Sequence, residues 1–391
     1  LLFAGLTFAS AAPSGPAAAA TARATWSALA DPAPLTAAEE AAPQAAALAR
    51  RFNPAMAFPT RDIWPTSVAY AWHDSPSLMA RVVAKTGRVV REYVAVAGAA
   101  LEKDWGRLPD ADAGGDSVEY YIDAPGDDRV VGGKVGWLER WRAIMGAPQA
   151  VTSAPYPPTQ YAHVFWFNRA RGLVGVQYWF YYPYDYWINR HEGDWEHVNV
   201  ILQGPTRLGD AAAYRAVGYQ YFFHGFMYEP QRVALTGAAG SHALVFAGGK
   251  SRLLFWSGDV SGGSYPFPAY YEGAGGLIGP LSPGDDTRKP KRYIAAEDFQ
   301  VVVLPEPARV DARRHPGLSW LRVAFFAGQQ RVYGNPFVID WLDRGGPPPQ
   351  PGRRRDWNAG APPPLWKGAV RAAERLALPP GWRVQVADLA R

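Results

Sequence analysis

The residues best equipped for chemistry lie in one short stretch. Tyr178-Trp179-Phe180-Tyr181-Tyr182-Pro183-Tyr184-Asp185 runs into a connection, and His191-Glu192-Gly193-Asp194-Trp195-Glu196-His197-Val198 follows. In an extended strand side chains alternate between faces, so Asp194 and Glu196 share a face with Val198, Val200 and Leu202. Two carboxylates thus continue an apolar, inward-facing row, a costly placement unless they are paired, hydrogen-bonded or bound to a cation. Gly193 lets the chain turn sharply into this strand. His191 sits in the preceding loop, and Asp185, where the previous strand ends, faces the pair across the connection.

Three carboxylates and one imidazole suit a hard divalent cation, Mg²⁺, Ca²⁺ or Mn²⁺, with waters completing its shell. Zn²⁺ fits less well, because dedicated zinc sites lean on more nitrogen or sulfur. Spacing alone leaves the alternative that Asp194 and Glu196 make salt bridges or cap loop amides. Tyr184, Tyr186 and Trp187, with Glu192, would surround such an ion and offer aromatic faces to a glycan or lipid headgroup. His242, in Gly240-Ser241-His242-Ala243, is a further candidate for the rim of that pocket. A metal-assisted hydrolase, with His191 or Glu192 as general base, is the competing chemistry, and an ion that only staples the fold is the third reading. His197 faces away from Glu196 by strand parity and is assigned to packing, as are His163 and His224.

Other motifs do not complete themselves. Gly249-Lys250-Ser251 resembles the end of a phosphate loop, but the earlier glycine it needs is Leu244. The chain has no Gly-x-Ser-x-Gly elbow, which argues against a serine hydrolase.

The elements that must position the cluster are strands. Aromatic residues make up 14% of the chain and concentrate between Tyr156 and Tyr271 in β-favouring runs. Residues 161–167 and 174–182, separated by Asn168-Arg169-Ala170-Arg171-Gly172, read as a hairpin. Further strands are expected at 195–202, 216–223, 231–235, 243–247, 253–256 and 299–304. Short strands punctuated by Gly, Pro and Asp predict a mainly β fold, an antiparallel, jelly-roll-like β-sandwich with peripheral helices. The alternating prolines and aromatics from Asn53-Pro54 to Trp64-Pro65 suit an edge strand. Residues 79–103 fit either a helix or paired strands, and 135–144 an amphipathic helix.

Four stretches organise the chain. Residues 1–24, an apolar run followed by small residues, read as a secretory signal lacking its start, so the protein is expected to be secreted or periplasmic. Residues 25–45 form a linker entering a first helix, 46–310 the sandwich, and 311–391 an extension with a Pro/Arg-rich segment and a terminal helix at 365–378. The Arg353-Arg354-Arg355 run reads as a solvated loop. No stretch approaches the roughly 20 uninterrupted apolar residues of a spanning helix. The net charge of +5 is spread along the chain, giving no nucleic-acid patch. With no cysteine, disulfides and thiolate metal sites are excluded. The sequence does not set the oligomeric state.

Two families share these residues. Arg50-Arg51-Phe52-Asn53-Pro54, Trp64-Pro65-Thr66-Ser67-Val68, Tyr178-Trp179-Phe180-Tyr181-Tyr182, Gly193-Asp194-Trp195-Glu196-His197-Val198 and Gly240-Ser241-His242-Ala243 resemble, in order, blocks of the vacuolar protein sorting-associated protein sixty-two family. The same centre is similar to the necrosis- and ethylene-inducing-like proteins, secreted cytolysins with a β-sandwich and a divalent metal beneath a sphingolipid-headgroup site. Their signature, Gly-His-Arg-His-Asp-Trp-Glu, matches Arg190-His191-Glu192-Gly193-Asp194-Trp195-Glu196. The resemblance implies that Asp185, His191, Asp194 and Glu196 are the metal ligands. The family's first glycine, arginine and second histidine become Arg190, Glu192 and Gly193, and its cysteines are absent. These departures argue against plant-cell toxicity and leave the ligand set intact.

Overall fold

The computed structural model describes residues 25–73, 76–86, 89–96, 112–113, 116–123, 134–146, 150–185, 191–237, 241–249, 252–253, 256–257, 262–272, 284–328, 347–372, 378 and 382–389. Residues 1–24, read as a signal, lie outside them, as do Tyr186 and Trp187.

The larger sheet is built on four antiparallel strands, β1 (Thr159–Asn168), β2 (Leu173–Asp185), β3 (His191–Gln203) and β4 (Arg215–Phe223). The expected hairpin joins β1 to β2, and Gly172 adopts a left-handed φ of +62° at its turn. Ala33–Pro34 and Gln300–Val303 pair with β1, and Phe226–Tyr228 folds back to pair antiparallel with β4. A second sheet faces it, containing β5 (Arg232–Thr236) and β6 (His242–Ala247), with Ala55–Phe58, Arg292–Ile294, Ser264–Tyr265 and Gln385–Asp388 alongside. Two of the pairings are parallel, Ala55–Phe58 with β6 and Gln300–Val303 with β1. The protein is mainly β, as expected.

One side-chain row from each sheet fills the interior between them. Val174, Val176, Tyr178, Phe180 and Tyr182 of β2, and Val198, Val200 and Leu202 of β3, pack in one cluster with Met56, Phe58, Val233, Val245 and Ala247. The opposite row of the larger sheet is covered too. Tyr161, Trp179, Tyr181 and Trp195 pack against Leu78, Ile122 and Trp320, while Phe165, Phe167 and Ile201 pack around Trp26. All thirteen residues of β2 are therefore buried. That is why its sequence is apolar or aromatic almost throughout and does not alternate: strict alternation marks a strand with one wet face.

Much of the second cover is a third sheet in which Ser77–Val83 lies between Val89–Val96 and Asp116–Asp123. This resolves the ambiguous segment after residue 79 in favour of paired strands as far as Val96, consistent with its β-branched pairs. The Ala55–Phe58 strand is interior, not an edge. Pro54 and Pro59 flank it, so no ladder donor is lost within it. Trp64-Pro65-Thr66 contributes a single bridge, Thr66 to Pro158, and the chain then enters a 3-10 turn at Val68–Trp72. The expected amphipathic helix is Lys134–Met145, which buries Trp141 against Trp64 and Tyr70.

The segments read as linker and extension are built into the sheets. Trp26 is 5% exposed, and Thr36 with Glu39 closes a capping box on the Ala37–Ala41 helix. Phe325–Phe326 joins the third sheet, and Gln385–Asp388 pairs with β5. The terminal helix expected at 365–378 is corrected where that stretch is described. Leu365 bridges Met227, and Val370–Ala372 is a strand paired with Ala269–Tyr271. Pairing with an available sheet edge overrides helix-favouring composition there.

Candidate functional site

The β2–β3 register builds the site. Phe180 stands opposite Glu196, Tyr182 opposite Asp194, Tyr184 opposite Glu192, and Asp185 opposite His191. The strand β3 begins four residues earlier than expected, so His191 and Gly193 lie within it and not in a loop before it. Gly193 holds a φ of +57°, and a Cβ there would stand 2.0 Å from the Ala327 carbonyl oxygen. A left-handed residue inside the ladder is open mainly to glycine, and it interrupts the two-residue alternation between Asp194 and the residues before it.

Asp185, His191, Glu192, Asp194 and Glu196 are between 4% and 8% exposed. The His191 Nε2 lies 3.6 Å from Asp185 Oδ2. Its Nδ1 faces the Gly193 and Glu192 carbonyl oxygens at 2.9 and 3.2 Å. Carbonyls only accept, so Nδ1 is the donor, and Nε2 is the ring nitrogen left facing Asp185. Nε2 and the Asp185 carboxylate face one another at a distance that suits a direct ion pair or a cation held between them. Asp194 and Glu196 converge on Gly262, whose added Cβ would lie 2.8 Å from Asp194 Oδ2 and 3.2 Å from Glu196 Cγ. The Tyr182 ring shares that spot, and its buried hydroxyl has no hydrogen-bond partner among the described residues.

Burial raises the pKa of Asp194, while the charges of His191, Arg354 and His224 pull the other way. Glu196 is held well above the usual carboxylate range by burial and then by the charge of Asp194, with Asp185 and Asp285 adding to the shift and Arg354 opposing it. Two adjacent buried acids in this state are short of positive charge. The donor set, oxygen with one imidazole nitrogen, suits a hard cation. Among the described residues, however, no group of three or more such side chains stands at metal-holding spacing. Closing a shell of four would require side-chain rotation.

The partners of this centre that the sequence did not reveal come from segments distant in the chain. Arg354, the middle of the arginine run, is not a solvated residue. Its guanidinium pairs with Asp356 through two contacts at 3.2 and 3.3 Å, and its Nη1 donates to the Trp195 carbonyl. His224, with a φ of +46°, places Nε2 3.0 Å from Asp285 Oδ2, which also accepts from the Tyr265 hydroxyl at 2.5 Å. Asp285 is fully buried and raises His224 against the effect of burial. A histidine beside a left-handed turn was the available signal.

The other histidines separate from the centre. His197 stacks between Trp179 and Phe222, with centroids 4.0 and 3.7 Å away, on the sheet face opposite Glu196. His163 is buried against Trp357 and bonded to the Leu304 carbonyl and to Asn358. His242 is corrected as a member of the pocket rim. It begins β6, whereas Gly262 approaches Asp194 beside the Gly248–Gly263 contact past the other end of that strand. Six extended residues separate the two by roughly 17–20 Å. Tyr184 and Glu192 stay with the acids through the β2–β3 register.

No family model matches the chain, the vacuolar sorting family included, and no curated protein matches it. Solved structures that overlap it include a non-toxic HaNLP3 protein, at 17% identity and a TM-score of 0.22, covering 42% of this chain and 56% of that one. NLPPya in complex with glucosamine overlaps at 16% identity and a TM-score of 0.20, over 37% of this chain and 51% of its own. Necrosis and Ethylene inducing Protein 2, from the causal agent of cocoa's Witches Broom disease, overlaps at 16% identity and a TM-score of 0.20, over 44% and 61%. The chain thus spans little more than half the length of these neighbours, and overlaps this shallow carry no argument about function. No helix among the described residues is long and apolar enough to cross a membrane.

Proposed function

We propose that this chain is an exported binding protein that holds a divalent cation, Mg²⁺ or Ca²⁺ before Zn²⁺, with Asp185, His191, Asp194 and Glu196, and uses it to recognise a glycan or lipid headgroup at a cell surface. The observation that carries the cation is the buried pair Asp194 and Glu196, both raised by burial and Glu196 further by the charge of Asp194, beside a His191 Nε2 that faces Asp185 at 3.6 Å. A bound ion would supply the positive charge this pocket is short of and would accept hydroxyl or phosphate oxygens from a ligand. The chain's own part is to fix the imidazole tautomer through the Gly193 carbonyl and to exclude water beneath Gly262.

A second reading makes the ion a structural staple, and the low exposure of all four ligands favours it. Two experiments separate these. Melting is followed with Mg²⁺, Ca²⁺ or excess chelator for the wild type and for an Asp194→Asn, Glu196→Gln variant. A cation at about a hundred times its dissociation constant adds roughly 2.7 kcal/mol to the form that binds it. A rise in the wild type alone supports the site, and no metal effect in either protein removes it. Vesicle and glycan binding with and without chelator then decides between recognition and staple.

A further inference from the structure

Away from the acidic centre, at the start of β6, the surface opens into a cavity of about 370 Å³ lined by Thr236, Gly237, His242, Glu297, Trp382 and Arg383. Its walls are set by contacts within the chain. The His242 Nδ1 donates to the Asn53 carbonyl at 2.7 Å, which leaves Nε2 as an acceptor. Gly237, at φ +87°, makes room for that ring, because a Cβ there would come within 2.7 Å of His242 Cδ2. The Trp382 indole leans on Tyr293 with centroids 5.3 Å apart and is half-buried.

We propose that this cavity is a second ligand site, separate from the acidic centre, and that it takes a neutral, hydroxyl-rich ring of monosaccharide size. One guanidinium and one carboxylate leave the lining without net charge, which disfavours phosphates, carboxylates and amines alike. The Trp382 face offers an apolar platform for ring C–H groups. Thr236 and Arg383 supply donors, and Glu297 and the His242 Nε2 supply acceptors, so hydroxyls of either polarity find partners. The volume lies in the range of small-molecule sites, which combine an apolar wall with a few convergent polar groups.

The test is saturation-transfer NMR on the full chain with neutral methyl glycosides of glucose, galactose, mannose and N-acetylglucosamine. Transfer to ring C–H protons is expected for at least one, unchanged by chelator and unchanged in the Asp194→Asn, Glu196→Gln variant. Trp382→Phe should retain it and Trp382→Ala should weaken binding at least tenfold. Arg383 is exposed, so Arg383→Ala keeps the fold and should weaken binding several-fold even where Trp382→Ala does not fold. Silence from all four glycosides overturns the proposal. So does transfer that survives both the Trp382→Ala and Arg383→Ala changes, or transfer abolished by chelator, which would assign the sugar to the acidic centre.

Discussion

Asp185 and His191 are cross-strand partners at the end of the β2–β3 ladder, with Oδ2 and Nε2 3.6 Å apart. Each lies at the end of its strand, so the β2–β3 register fixes their approach. Asp185→Asn keeps the shape and removes the charge. It should lower cation affinity roughly 10- to 100-fold, the range seen when a ligand or its support is lost. Calorimetric titration with Ca²⁺ and Mg²⁺ reads this directly, and unchanged affinity would remove Asp185 from the ligand set.

Gly193 is where the site depends on the backbone. Gly193→Ala must hold a side chain at φ +57° with the Ala327 carbonyl oxygen 2.0 Å from its Cβ. The left-handed conformation alone costs about 1–2 kcal/mol, and relieving the clash adds to it. Urea denaturation should show a loss of at least roughly 2 kcal/mol, whereas a change near zero would mean that the Ala327 segment is free to move away.

His197 is buried and held neutral, its pKa pushed down to about 3 by burial, with Arg354 contributing and Asp356 opposing. Although Nε2 lies 3.5 Å from Asp356, neither ring nitrogen makes a hydrogen bond among the described residues. The ring therefore acts as a flat apolar spacer between Trp179 and Phe222. His197→Phe conserves that shape and should cost less than about 1.5 kcal/mol, against about 3–5 kcal/mol for Trp179→Ala. A large loss in His197→Phe, measured by the same denaturation, would show that the Asp356 contact is a true bond.

Glu306 ties the segment carrying Asn358 to the larger sheet. Burial works against its charge, but the hydrogen bond and charge of His163 and the bonds from Asn358 and Trp357 outweigh it and bring the pKa to about 2. A carboxylate depressed in the folded state contributes stability that is present above its ordinary pKa and fades as pH falls through the folded value. The window here runs from about 4.5 down to about 2. Glu306→Gln should lose on the order of 1.5–3 kcal/mol at neutral pH, as for a charged hydrogen bond, and should flatten the acid limb of a melting-temperature profile. An identical acid limb in the variant would contradict the pairing.

The sequence by itself determined the class of the fold and the rows of the site. Runs such as Val174 to Tyr182 are too rich in aromatic and β-branched residues to be anything but strands, and strand parity placed Asp194 and Glu196 in line with Val198, Val200 and Leu202, where they lie. Parity also turned His197 away. These are local consequences of a two-residue repeat. What lies across from a residue is not local. Only the tertiary structure decided that Arg354, His224 and Asp285 surround the acids, that His242 opens a different cavity, and that Val370–Ala372 and Gln385–Asp388 are strands paired into the sheets. Each depends on pairing between segments far apart in the chain, where a free sheet edge or a buried charge selects its partner regardless of local propensity.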